Sequence, residues 1–530
     1  MMNTNTVQRA RRNTIGDALT RVSERFTNKM AVVFNNRHWS FSALNVASHK
    51  VANHLLALGL QKGDRVAAYG KNSDAYLILW LACCKAGLIH VPLNFALVDR
   101  ELAFLLKQSG AKALFLDNAL HSHFAALNES LHIEHVGSLQ DQHSPFAQDI
   151  LTWALNPGNQ EAPEVELDAE DVVQILYTSG TTSDPKGAMH THNSFFSQYQ
   201  SCFLHLAINQ DDVALAALPL YHSAQMHVFT MPTLLTGGTS WILDNAGAEN
   251  MLNVIQSNAI NAVFAPPTVW INLLRHPSFN PNQLKQLNKL YYGASIMPEA
   301  IAQELSELLP QAGLYNCYGQ SEMAPLATVL APNQHQGRLA SAGKPTQSVR
   351  TRIVNPETGT PCQAYEQGEI VHQSAQLMLG YWNNPKATED CFRNGWFHSG
   401  DLGYMDEQGY LYVVDRIKDV INTGAVLVAS RDVEEVLYTH KAVEEVAVIG
   451  LPDPHWGEAV TAVIVVKRGH IVNEKELLAF SKEYLAAFKI PKRFIFETAL
   501  PKNSAGKLLK RELRQRYTEQ ANLRNLSAQA

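Results

Sequence analysis

From residue 30 to about 320 the chain alternates short apolar runs rich in β-branched residues with longer segments of helical periodicity, and this alternation narrows the fold more than any other feature. MAVVF precedes a helical pattern over 41–57, RVAAYG one over 73–86, AVFA one over 267–275 and KLYYG one over 298–309. Strand followed by helix, repeated, makes an α/β domain whose strands are largely buried. Several helical segments open with Ser, Asp or Pro, which satisfy or dispense with the free N–H groups of a first turn. A chain of 530 residues exceeds what one hydrophobic core usually organises, so a second domain is expected.

After HSGDLGYMDEQGYLYVVDRIKDV the pattern changes. Two short strands, a helix over 431–439, strands over 443–450 and 459–466, a helix over 474–486 and a strand over 493–497 describe a small α+β unit. The boundary is placed at Asp415, giving a large domain over 1–414 and a small one over 415–530. Residues 138–168 read as a polar loop stretch.

Hydrophobic residues make up 46% of the chain and charged residues 17%, as in an ordinary globular protein. The apolar run AYLILWLACC stops at Lys85, well short of the roughly 20 residues a spanning helix needs. The N-terminus is basic but lacks the apolar stretch of a secretory signal, and the C-terminal LSAQA is not a peroxisomal address, so a cytoplasmic location is expected. Cys83, Cys84, Cys202, Cys317, Cys362 and Cys391 show no C-x-x-C spacing, which argues against a disulfide framework or a zinc site and leaves them as expected buried small hydrophobes. Residues 416–530 carry 18 basic against 14 acidic side chains although the whole chain is at −6. Without interleaved aromatic rings, that balance suits a phosphorylated small molecule rather than nucleic acid.

The stretch DVVQILYTSGTTSDPKG is an apolar strand that runs into a loop of glycines and hydroxyls ending in lysine. Backbone N–H groups, O–H donors and one ammonium together can cradle a polyphosphate. It is not a Walker A loop, which would need Gly at Pro185 and Ser or Thr at Gly187. Taken alone, the same loop would also serve as a surface turn.

Six further stretches follow in order: LPLYHSA, YYGAS, NCYGQSEM, LMLGYWNNPKATEDCFRNGWFHSGDLG, DRIKDVINTG and PKNSAGKLLKREL. With them the chain resembles the adenylate-forming superfamily of acyl-CoA synthetases, luciferases and peptide-synthetase adenylation domains, from about residue 12 to 515. The resemblance implies a large α/β domain with a small mobile α+β domain hinged at Asp415. It also implies ATP, Mg²⁺ and coenzyme A as cofactor and co-substrates. By that resemblance Thr178, Ser179, Gly180, Thr181, Thr182 and Lys186 hold the β- and γ-phosphates. Gly293, Ala294, Ser295, Gly319 and Gln320 border the nucleotide, Tyr318 stacks on adenine, and Asn316 faces the adenine amino group. Ser321 meets the α-phosphate and Glu322 the Mg²⁺, while Asp401 accepts the ribose hydroxyls beside Arg416. Read without the family, Ser321 and Glu322 could simply cap a helix.

The resemblance further implies Lys507 as the mobile catalytic lysine, His222 beside the reacting carboxylate and Gly424 at the pantetheine tunnel. Tyr221, His222, Gln225, Met226, Ala265, Gly293, Ala294, Gly319, Met323 and Ala324 are the expected acyl-pocket residues. Most relatives follow Gly424 with a second glycine, a polar pair and later a proline, whereas Ala425 to Ser430 here read AVLVAS. His222 stands where amino-acid-activating relatives carry Asp, which favours a non-amino acid. Small and flexible apolar lining favours a medium- or long-chain fatty acid over an aryl acid. A nucleotide-binding protein without ligase activity and an acyl-AMP ligase that loads a carrier protein are the alternatives. No nucleic-acid partner is expected, and the sequence leaves peripheral membrane contact and a homodimer open.

Overall fold

The apolar run that stops at Lys85 forms the helix Asp74–Ala86, and all 13 of its residues are buried. Ser73 caps it by accepting the Tyr76 N–H, and Gly87 ends it in the left-handed region at φ 69°. A helix apolar all round belongs inside a domain, and this one packs with Ile15–Arg25 and Phe41–Ala57 in a core that also takes side chains from both large sheets. The computed structural model describes residues 4–125, 127, 131–140, 146–178, 185–424, 426–503, 506 and 508–529.

The first sheet orders its six strands as His135–Ser138, Ala111–Leu116, Arg65–Tyr69, Ile89–Leu93, Val172–Thr178 and Lys186–Thr191. All neighbours are parallel except the last pair, a hairpin. The second sheet has nine strands. Its parallel centre holds Val213–Ala216, Ala262–Phe264, Lys289–Gly293 and Gly313–Gly319, with Leu326–Leu330 antiparallel beside the last. The expected α/β alternation is therefore present in two sheets. Thr178, Gly293 and Gly319 are the final residues of their strands, so these three expected nucleotide residues lie at strand carboxyl ends, where α/β folds place their crevices.

A third, antiparallel sheet of five strands, including Gly368–Ser374, Trp396–Met405 and Leu411–Arg416, was not anticipated from the sequence. The small domain builds another five-stranded sheet around Val443–Asp453 and Gly457–Val466, with Arg493–Glu497 parallel to the latter. Helices Ser430–Tyr438 and Lys510–Gln529 pack against Val443–Asp453.

Two expectations need correction. The stretch 138–168 includes the helix Ile150–Leu155, whose Ile150, Leu151 and Ala154 enter the core. Cys362 and Cys391 are half-buried, unlike the other four cysteines. Asp415, the expected boundary residue, lies within the strand Leu411–Arg416. Among the described residues, no helix is long and apolar enough to cross a membrane, and no three His, Cys, Asp or Glu side chains are grouped to hold a metal.

Candidate active site

The hairpin that should cradle phosphates is defined by its two ends, where Thr178 stands opposite Lys186 and its hydroxyl donates to the Lys186 carbonyl at 3.4 Å. Ser179, Gly180, Thr181 and Thr182 lie outside the described residues. The Lys186 ammonium sits 5.2 Å from the ring centroid of Tyr381. That ring is held by a segment lying along the hairpin. Leu379 and Trp382 donate to the carbonyls of Met189 and Gly187, and Met189 donates to Gly380.

The turn Ser321–Met323 follows the strand Gly313–Gly319. A Cβ at Gly319 would stand 1.8 Å from the Pro325 carbonyl oxygen, and one at Gly293 would stand 2.2 Å from that of Cys317. Close backbone approach thus demands glycine at both positions, whatever ligand they border. The Ser321 hydroxyl meets that of Ser223 at 3.0 Å, and the Ser321 carbonyl accepts from His190 Nε2 at 2.8 Å. Burial pulls the His190 pKa down to about 4, so a neutral ring makes that contact. Glu322 Oε1 accepts from the Tyr381 hydroxyl at 2.8 Å, and the Glu322 carbonyl accepts from Met378 N–H at 2.9 Å.

Asp401, only 4% exposed, gathers the expected ribose site. Arg416 stands opposite it in the ladder and pairs with Oδ1 at 2.9 Å. Tyr318 and Gln320 donate to Oδ2 at 2.8 and 2.7 Å. Asp401 in turn holds the Arg416 pKa above its ordinary value, and burial together with this carboxylate pushes the Tyr318 phenol up. Tyr318 was expected only as an adenine platform, yet its hydroxyl is spent on Asp401. Asn316 spends its amide N–H on the Ser341 carbonyl at 2.8 Å, which leaves its acceptor oxygen as the atom suited to an amino group.

On the acyl side, residues Ala224–Thr230 form a π-helical turn directly after His222, a widened geometry frequent at functional sites. Tyr221 and His222 are half-buried, and the Phe95 and Tyr221 rings meet edge to face at 5.8 Å. Met226, Ala265, Met323 and Ala324 are buried. Gln225 is turned into the protein, bonding the Thr230 hydroxyl at 3.2 Å and the Leu218 N–H at 3.4 Å, so its amide is not offered to the pocket. Ala294 is exposed, with φ 64°, and Ser295 half-buried in the turn after Lys289–Gly293.

The small domain reaches the large one at Gly506, whose carbonyl accepts the Thr268 hydroxyl at 2.8 Å at the start of the helix Pro267–Leu274. Lys507 lies outside the described residues. Gly424 has φ 60° and donates to the Trp456 carbonyl at 2.7 Å, in the small domain's own hairpin region. At the domain border, Asp415 Oδ2 accepts from both the N–H and the hydroxyl of Ser430, and Lys510 joins Ser430 and Glu434. Tyr381, Ser223, His190 and Ser430 were not foreseen as site residues. Tyr381 stood inside LMLGYWNNP, but nothing local indicates that its hydroxyl reaches a residue 59 positions away.

The AMP-binding enzyme family matches residues 19–382, and the AMP-binding enzyme C-terminal domain matches residues 432–507. The chain is 35% identical over 479 residues to a feruloyl-CoA synthase from Amycolatopsis sp, covering 90% of this chain and 94% of that protein. It is 30% identical over 537 residues to a long-chain-fatty-acid–CoA ligase from Bacillus subtilis (strain 168), covering 96% and 95%. The solved structure of ATP-bound MatB from Rhodopseudomonas palustris superposes with a TM-score of 0.86 at 29% identity, covering 95% of this chain and 99% of that one. The order of the motifs, the two-domain architecture and these likenesses agree, and the chain belongs to the AMP-binding enzyme family as an adenylate-forming, AMP-producing acid–CoA ligase.

Proposed function

We propose that this protein activates a hydrophobic carboxylic acid with ATP and transfers the acyl group to CoA. The carboxylate attacks the α-phosphorus, giving an acyl-adenylate and pyrophosphate, and the CoA thiol then displaces AMP. Attack of one anion on another is opposed by their charges, so positioning and electrostatic stabilisation do most of the catalytic work. The hairpin from Thr178 to Lys186 grips the β- and γ-phosphates, Ser321 the α-phosphate, and Asp401 with Arg416 the ribose. His222 borders the carboxylate, Lys507 bridges it to the α-phosphate, and Gly424 leaves room for pantetheine in a second domain orientation pivoting at Asp415.

Glu322 is the protein ligand proposed for Mg²⁺. Mg²⁺ is commonly held by one or two carboxylates plus substrate phosphates, and a half-buried carboxylate with one oxygen fixed by Tyr381 fits that use. The cation, when bound, would offset phosphate charge.

The observation that carries this reading is the buried Asp401, held by Arg416, Tyr318 and Gln320 and so built to present an ordered carboxylate at the strand ends. For the acid, small and flexible apolar side chains at Met226, Ala265, Met323 and Ala324 favour a medium- or long-chain fatty acid. A second reading, an aryl acid, is favoured by the aromatic pair Phe95–Tyr221 and by the name of the 35% identical relative. Acid-dependent release of pyrophosphate and AMP, measured with CoA across straight-chain and phenylpropenoic acids, tests both. The fatty-acid reading requires kcat/KM to rise with chain length above that of any aryl acid, and the reverse order overturns it.

A further inference from the structure

Tyr381 occupies the seam between two parts of the proposed phosphate site. Its segment is fastened on both sides. Gln376 donates to the Met323 and Leu326 carbonyls at 2.7 and 2.5 Å, and Met378 donates to the Glu322 carbonyl. On the other side the segment lies along Lys186–Thr191, and the Tyr381 N–H is taken by the Thr388 hydroxyl at 2.9 Å. With only 8% of its surface exposed, the side chain has little freedom, and two groups of opposite charge use different parts of it. The hydroxyl donates to Glu322 Oε1, while the ring lies within cation–π reach of the Lys186 ammonium.

We propose that Tyr381 is a positioning residue for MgATP: its hydroxyl fixes one Glu322 oxygen so that the other faces the cation, and its ring holds the Lys186 ammonium toward the phosphates. This rests on the assignment of Glu322 and Lys186 made above. The two parts of the side chain can be removed separately. Tyr381→Phe deletes the hydroxyl and keeps the ring, whereas Tyr381→Leu deletes both. A hydrogen bond to a charged group corresponds to roughly tenfold or more in an equilibrium.

The test is calorimetric binding of ATP to the full-length protein, once with excess Mg²⁺ and once with EDTA, alongside thermal midpoints and Mg²⁺ titrations of turnover. Tyr381→Phe should weaken MgATP binding about tenfold or more, leave metal-free ATP binding within about twofold, and raise the half-saturating Mg²⁺ while kcat at saturating Mg²⁺ largely recovers. Tyr381→Leu should weaken both forms, because Lys186 also loses its support. Parent-like binding by Tyr381→Phe, or equal loss with and without metal, overturns the proposal. Glu322→Gln separates the two levels of the argument. If it abolishes the Mg²⁺ advantage while Tyr381→Phe keeps it, only the role of Tyr381 fails. If Glu322→Gln leaves the advantage intact, the assignment of Glu322 fails and the role of Tyr381 goes with it.

Discussion

Ser430 gives both its backbone N–H and its hydroxyl to one oxygen of Asp415, at 2.8 and 2.6 Å. The donor opens the helix Ser430–Tyr438 and the acceptor lies in the strand Leu411–Arg416 of the third sheet. Behind Ser430, Lys510 pairs with Glu434 at 2.8 Å and donates to the Ser430 hydroxyl, so the border residue and the segment that follows Lys507 share one hydrogen-bonded network.

Ser430→Pro should loosen this border without breaking the helix. Ser430 is the helix's first residue, where proline is well tolerated, yet proline supplies neither donor. Loss of two hydrogen bonds to a buried carboxylate should cost about 1–3 kcal/mol. Tryptic cleavage at Lys418 should accelerate severalfold and the adenylation rate should fall. Parent-like cleavage and adenylation would show that the contact does not fix the domain orientation.

Asp401→Asn should raise the ATP KM at least tenfold in a folded protein. The change removes the charge facing Arg416 and the ribose, and a hydrogen bond to a charged group is worth about 1.5–3 kcal/mol. An unchanged KM would move the ribose site elsewhere.

Stability should fall as the solution is acidified from pH 6.5 toward 4. Burial holds His190, His192 and His372 at about 4, so the folded protein refuses protons that the unfolded chain takes up below its ordinary histidine pKa of 6.5. The slope is at most about 1.4 kcal/mol per pH unit for each such group. His190→Gln keeps a donor for the Ser321 carbonyl and removes one titrating ring, so its thermal midpoint should decline less steeply over this window. Parallel declines would contradict the burial argument.

Legibility followed the range of the interactions. The helices Phe41–Ala57 and Asp74–Ala86 announce themselves through Ser40 and Ser73, whose hydroxyls cap them locally, and through an apolar run no loop could bury. The third sheet was hidden although its strands pair with near neighbours in sequence, because they include Phe392–Arg393, only two residues long, and Trp396–Met405, whose SGDLG run lacks the apolar alternation of a strand. The π-helical turn at Ala224–Thr230 carries no local signal distinct from an α-helix. Family motifs pointed to Asp401, Arg416, Glu322 and Gly319, but the hydroxyl of Tyr318 on Asp401 and that of Tyr381 on Glu322 depend on packing between distant segments, and the inward turn of Gln225 on the π-helical geometry around it.

The central claim is that one chain performs two half-reactions with different residues in charge, and assaying them separately tests it most directly. Lys507→Ala should slow acid-dependent pyrophosphate release by roughly 10²–10³-fold, the scale of losing one preorganised electrostatic donor. Given synthetic acyl-adenylate and CoA, it should still form thioester at near the parent rate. Gly424→Leu should do the opposite, its retained adenylation reporting a folded large domain while thioester formation fails. Equal loss of both half-reactions in both folded variants would contradict the account.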